Sequence, residues 1–276
     1  MTDEPIDRWI TANGFRLHCI EWGSPDAPAM VLLHGIGDNA HIWDDLAASL
    51  RDCMRIVALD QRGHGRSDWA VPPAYRCEDY VADLAALMES LPLERAIVGG
   101  HSMGALHTTC YAAMMPERVA GLIHVDIEPR PPDWNRKYLL NLYRDLPYDY
   151  STIEEYVDEI AKNCPHAEPA RMTRYAALAL NPAPDGRLRC RYDREVLRSF
   201  EGYDLRPGLG NIACPALLVR GAESQVMTRP ATEEMARAIP RAEIAEVPDS
   251  AHPVMMENPA AFQRVVLDFL ERHRLV

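Results

Sequence analysis

Short apolar runs alternate along this chain with longer segments whose apolar residues recur at helical spacing. AMVLLHG (29–35) is continuous and apolar and ends on glycine, the pattern of a strand buried on both faces. RIVALD (55–60), RAIVGG (95–100), VAGLIHVD (119–126) and CPALLVRG (214–221) have the same shape. FRLHCIEW (15–22) alternates instead and predicts an early, half-exposed strand. Helical patterns run over His41–Leu50, Glu78–Leu91, Ala105–Met115 and Ala231–Ile239. Repeated strand–helix alternation predicts an α/β protein with a mostly parallel, doubly wound sheet covered on both faces.

The alternation breaks between Glu128 and Gly210, where proline clusters (EPRPPDW, NPAPDG), tyrosines and amphipathic pieces replace buried strands. This predicts a core made of residues 1–127 and 211–276, with a mainly helical cap, 128–210, inserted after strand 6. Trp134, Tyr138, Leu139, Leu142, Tyr143 and Tyr175 in the cap are candidates to line an apolar, partly aromatic pocket.

Composition narrows the function. With 41 acidic residues against 29 Lys plus Arg, the net charge is −12. That balance argues against nucleic-acid binding, which needs a basic face, and against an anionic membrane surface. The acidic start MTDEPIDRWI lacks the basic segment and apolar run of a signal peptide, and no window resembles a membrane span. Seven cysteines, scattered and odd in number, contain no CxxC pair. They predict neither a disulfide framework nor a zinc site, and fit a reducing cytoplasm. A homo-oligomer is compatible with the sequence.

The chemistry concentrates at AIVGGHSMGALH (96–107), where a strand runs through Gly100-His101-Ser102-Met103-Gly104 into a helix. G-x-S-x-G in a strand–turn–helix context holds the serine in a strained turn, which the flanking glycines make sterically accessible. The hydroxyl is pushed out above a helix N-terminus, and the Met103 N–H points where a developing oxyanion would sit. LLHGIGDN (32–39) places a second backbone donor, the Ile36 N–H, at the end of an earlier strand. His34 and His101 are candidates for the pocket floor, and His64 in the GHG loop is expected to hold loop structure.

Taken in order, the HG loop, LDQRGHGRSD (59–68), the elbow, and the late His252 in IAEVPDSAHPVMMENPAAF (244–262) make the chain resemble the α/β-hydrolase fold superfamily over nearly its whole length. The resemblance assigns His252 the role of general base to Ser102. A histidine base needs a carboxylate on its other nitrogen. In many relatives that acid follows the strand after the cap, but here R-G-x-x-S-D has become Arg220-Gly221-Ala222-Glu223-Ser224-Gln225. The amide of Gln225 cannot stabilise an imidazolium by charge. Asp126, leaving the strand before the cap, is therefore the expected acid, with Glu223 as the alternative and Glu128 a third.

A serine at the elbow excludes the aspartate-nucleophile chemistry of haloalkane dehalogenases and epoxide hydrolases. The resemblance implies cofactor-free, metal-free hydrolysis of a carboxylic ester, thioester, lactone or activated C–C bond in a small to medium apolar substrate. Two other classes stay open at this stage. One is a cofactor-independent dioxygenase of an N-heteroaromatic enol using a His252–Asp126 dyad; the other is a non-turnover small-molecule receptor on the same scaffold.

Overall fold

The computed structural model describes residues 5–130, 141, 146–200 and 203–276. Eight strands form one sheet: β1 (Ile6–Ala12), β2 (Phe15–Trp22), β3 (Ala29–Leu33), β4 (Arg55–Leu59), β5 (Ala96–His101), β6 (Val119–Val125), β10 (Ala216–Gly221) and β11 (Ala242–Val247). Their spatial order is β1-β2-β4-β3-β5-β6-β10-β11. Only β2 runs against its neighbours; β4 to β11 are parallel. The β1–β2 hairpin turns on Asn13-Gly14, both at positive φ, the pair that a two-residue turn of matching twist requires.

Helices cover both faces. α2 (Cys77–Ser90) and α3 (Met103–Met114) pack on each other, and α3 lies along β5 and β6. α1 (Asp44–Leu50) packs on the final helix, α9 (Pro259–Arg272), while α7 (Arg229–Ala238) lies against β10 and β11. The apolar runs read from the sequence are the central strands: every residue of β4, β5 and β10 is buried. The arrangement is the doubly wound α/β sheet that the alternation predicts.

One local expectation is corrected, and one strand was not expected. β2 is not half-exposed, because all its residues from Leu17 to Trp22 are buried. Its polar positions are paired inside: His18 Nδ1 lies 2.7 Å from Asp60, and Glu21 accepts from Arg55 Nε at 2.8 Å. The unexpected strand is β1, outward-facing at its start and without a recognisable apolar pattern.

Beyond Val125 the chain leaves the sheet and rejoins it at Ala216. The described part of this excursion holds α4 (Ile153–Ala161), α5 (Pro169–Ala179) and α6 (Arg194–Ser199). It also holds a small antiparallel sheet, β7 (Asp149–Tyr150), β9 (Leu188–Cys190) and β8 (Leu180–Pro182), in spatial order β7-β9-β8. These strands were not expected, since two or three residues are too short to show a period. The cap meets the core through defined bonds. Tyr75 of the core donates to Asp193 at 2.6 Å, and Arg171 of α5 reaches Asp45 at 2.8 Å. Among the described residues no helix is long and apolar enough to cross a membrane.

Candidate active site

Ser102 sits between β5 and α3 with φ 52° and ψ −122°, a conformation that L-residues with side chains rarely adopt. Its neighbours show why glycine is needed two residues either side. A Cβ on Gly100 would lie 2.3 Å from the Gly104 backbone, and one on Gly104 would lie 2.4 Å from the Leu33 carbonyl. The elbow is therefore pressed directly against the end of β3 and the HG loop. Gly104→Ala should push these two segments apart at a cost of about 1–3 kcal/mol, as overpacking does. Thermal unfolding would check this, an unchanged midpoint counting against the close approach.

The HG loop is held from beneath by two neutral imidazoles. His34 Nδ1–H donates to the Gly35 carbonyl at 2.7 Å, and its Nε2 accepts the Gln61 N–H at 3.0 Å. His64 Nδ1–H donates to the Arg62 carbonyl at 3.1 Å, and its Nε2 accepts the Gly37 N–H at 3.2 Å. Burial lowers both from the ordinary imidazole range, His64 to about 3. A proton on either accepting nitrogen would face an N–H, so both rings stay neutral. His34 is thus a brace behind the pocket rather than part of its floor, a correction to the expectation. His64 holds loop structure.

His252 lies in the loop between β11 and the short helix α8 (Val254–Glu257). Its Nδ1 is 2.8 Å from Asp126 Oδ2. Asp126 is fully buried at the end of β6, at φ 56°, and accepts the Gly221 N–H at 3.0 Å and the Ser224 hydroxyl at 2.6 Å. The Nδ1–H tautomer that Asp126 selects leaves Nε2 as the basic nitrogen. Burial, then the neighbouring His101, lowers the His252 pKa, while Asp126 pulls the other way.

Glu223 does not reach this histidine. It is half exposed, and its Oε2 lies 2.9 Å from Nε2 of His166 in the cap. Glu128 accepts from the Thr228 hydroxyl at 2.8 Å. The loop after β10 nonetheless supplies two donors to Asp126, the Gly221 N–H and the Ser224 hydroxyl, an arrangement that sequence reasoning missed. The R-G-x-x-S string carried the signal, because a buried carboxylate needs donors and that string supplies two.

Ser102, His252, His101 and Ile36 line one cavity of about 480 Å³. Tyr150, Tyr156 and Tyr192 enter it from the cap, as does Tyr175. The other cap candidates, Trp134, Tyr138, Leu139, Leu142 and Tyr143, lie outside the described residues. Met103 is the first residue of α3, where helix N–H groups have no intrahelical partner. His101 does more than line the wall: its Nε2–H donates to the His252 carbonyl at 3.0 Å, tying the elbow to the histidine loop. Among the described residues no group of three or more His, Cys, Asp or Glu side chains is placed to hold a metal ion.

The profile of the alpha/beta hydrolase fold matches residues 28–259. The chain belongs to this family. It is an α/β hydrolase by fold and by its relatives' activities, and so an enzyme. It is 29% identical to the 2-(acetamidomethylene)succinate hydrolase of Mesorhizobium japonicum, over 98% of this chain and 97% of that one. The crystal structure of E-2-(acetamidomethylene)succinate hydrolase superposes with a TM-score of 0.88 at 27% identity, covering 97% of this chain and all of that one (100%). The enol-lactonase of Burkholderia xenovorans LB400 superposes with a TM-score of 0.78 at 25% identity, over 96% and 100% of the two chains.

Proposed function

We propose that this α/β hydrolase cleaves a carboxylic ester, thioester, lactone or activated C–C bond of a small to medium, largely apolar substrate through an acyl-enzyme on Ser102. The observation that carries the reading is the 2.8 Å bond from His252 Nδ1 to the buried Asp126, in the cavity that Ser102 lines. His252 Nε2 takes the Ser102 proton as the oxygen attacks the substrate carbonyl. The imidazolium so formed is held by Asp126, and the Met103 and Ile36 N–H groups receive the oxyanion. His252 then returns the proton to the leaving group, and a water deprotonated by the same nitrogen releases the acyl group. Two named relatives, acting on an acetamido compound and an enol lactone, handle acyl derivatives, which supports carbonyl chemistry here.

The test is covalent labelling by a fluorophosphonate with intact-mass readout, on wild type and Ser102→Ala. One adduct on wild type and none on the variant is the expected result; an unlabelled wild type sinks the proposal.

The reading also sets a pH profile. His252 acts only when neutral, and burial beside His101 holds its pKa below the ordinary 6.5. It therefore stays neutral to lower pH than a free imidazole. The acid limb of kcat/KM should fall with an apparent pKa below 6.5, and a limb at or above that value would contradict the buried-base assignment.

A further inference from the structure

The cavity also holds polar groups that have no part in the mechanism above. Asp38, three residues beyond the HG-loop glycine Gly35, lines the cavity beside Ser102 with its side chain 26% exposed. Its Oδ1 accepts the Tyr175 hydroxyl at 2.9 Å, and its Oδ2 faces His101 Nδ1 at 3.8 Å, too far for a hydrogen bond.

The His101 tautomer follows from its other side. A carbonyl only accepts, so Nε2, 3.0 Å from the His252 oxygen, carries the hydrogen. In the neutral ring Nδ1 is then an acceptor. It is buried, and among the described residues it has no hydrogen-bond partner. Two acceptors thus face one another across a gap wider than a hydrogen bond, inside the substrate cavity. Gly35 keeps that gap open: a Cβ there would come within 2.8 Å of Asp38 Oδ2 and 3.0 Å of His101 Nδ1. The Tyr175 hydroxyl, donating to Oδ1 at 2.9 Å, favours the charged form of the Asp38 carboxyl.

We propose that Asp38 Oδ2 and His101 Nδ1 form an acceptor pair that receives a hydrogen-bond-donating group of the substrate. An ammonium, an amide N–H or a hydroxyl is then favoured over a carboxylate at that end of the molecule. The inference rests on the hydrolase reading and narrows its substrate class. Tyr175 holds Asp38 in place from the cap and leaves Oδ2 for the ligand. Glu159, the other carboxylate that lines the cavity among the described residues, is bonded to Lys162 at 2.6 Å and its charge is already matched.

The experiment compares three fluorophosphonates of equal length whose tails end in ammonium, methyl or carboxylate. Second-order rates of Ser102 labelling are measured in about 0.5 M NaCl, which screens the chain's overall negative charge but not a direct contact. Wild type should label in the order ammonium, methyl, carboxylate, with about tenfold or more between the ends, as a charge-assisted bond provides. In Asp38→Asn that ratio should collapse to within about threefold. Taking ratios within each variant cancels any general loss of rate. In Tyr175→Phe the ratio should survive, since the carboxylate remains; collapse there too would mean a disturbed loop and would overturn the proposal. So would equal labelling of wild type by all three tails, or a ratio that follows Glu159→Gln instead, and in both cases the hydrolase reading stands. If no tail labels wild type, the hydrolase reading fails and takes this inference with it.

Discussion

Asp126→Asn should lower kcat and the rate of fluorophosphonate labelling by about three to four orders of magnitude, the scale seen when a triad aspartate elsewhere loses its charge. The geometry gives the reason. Asp126 is fully buried, and its Oδ2 holds the His252 Nδ1–H at 2.8 Å while the Ser224 hydroxyl and the Gly221 N–H fix its orientation. An asparagine can keep part of that network but offers no charge to the imidazolium formed as Ser102 attacks. It can also turn its N–H₂ toward the ring and select the wrong tautomer. Glu223→Gln should leave both rates within about threefold, because it removes only an exposed pairing with His166. The comparison is a single-turnover labelling series on the two variants and wild type. The reverse pattern would move the acid to the loop after β10.

The second large effect concerns the frame. Arg62 and Asp83 form a two-point ion pair, Nε to Oδ2 and Nη2 to Oδ1, each 2.6 Å, with side chains 3% and 1% exposed. Arg62 also donates to the Ala74 carbonyl at 3.1 Å and lies 4.5 Å over the Phe15 ring. It belongs to the loop after β4 that carries His64, and so to the support of the HG loop. Arg62→Met leaves Asp83 buried without its counter-charge, and should cost about 3–5 kcal/mol of unfolding free energy, read as a lower urea midpoint. Replacing both partners together, as Arg62→Met with Asp83→Leu, should recover much of that loss. A single variant as stable as wild type would show that the pair does not hold the loop.

Much of the frame was legible because the signals were local. A parallel strand buried on both faces must be continuously apolar, so β3 to β6 and β10 stand out in the sequence. The elbow is legible because its strain demands glycines at fixed positions around Ser102. What stayed hidden is non-local. β2 looked half-exposed because His18 and Glu21 are polar, and nothing nearby in sequence shows that Asp60 and Arg55 meet them. The cap strands are too short to have a period. His34 was placed in the pocket because histidines beside a nucleophile suggest chemistry, whereas both its nitrogens are used by backbone. Asp38 and Ser224 drew no attention, since their importance lies in the residues that face them.

Ser102 and Asp126 share one backbone feature: both sit at positive φ without being glycine. Each occupies a conformation in which its own side chain is the source of the strain, and neighbouring bonds, from Ser102 N–H to Val125 and from Asp126 N–H to Val219, hold it there. At Ser102, strain and packing pull in opposite directions; at Asp126 the strain is outweighed, because glycine there would strand the buried Gly221 N–H and Ser224 hydroxyl. A lineage of this chain kept only for its thermal endurance would drift toward glycine at Ser102 while keeping Asp126, growing sturdier as it lost the hydroxyl at its elbow.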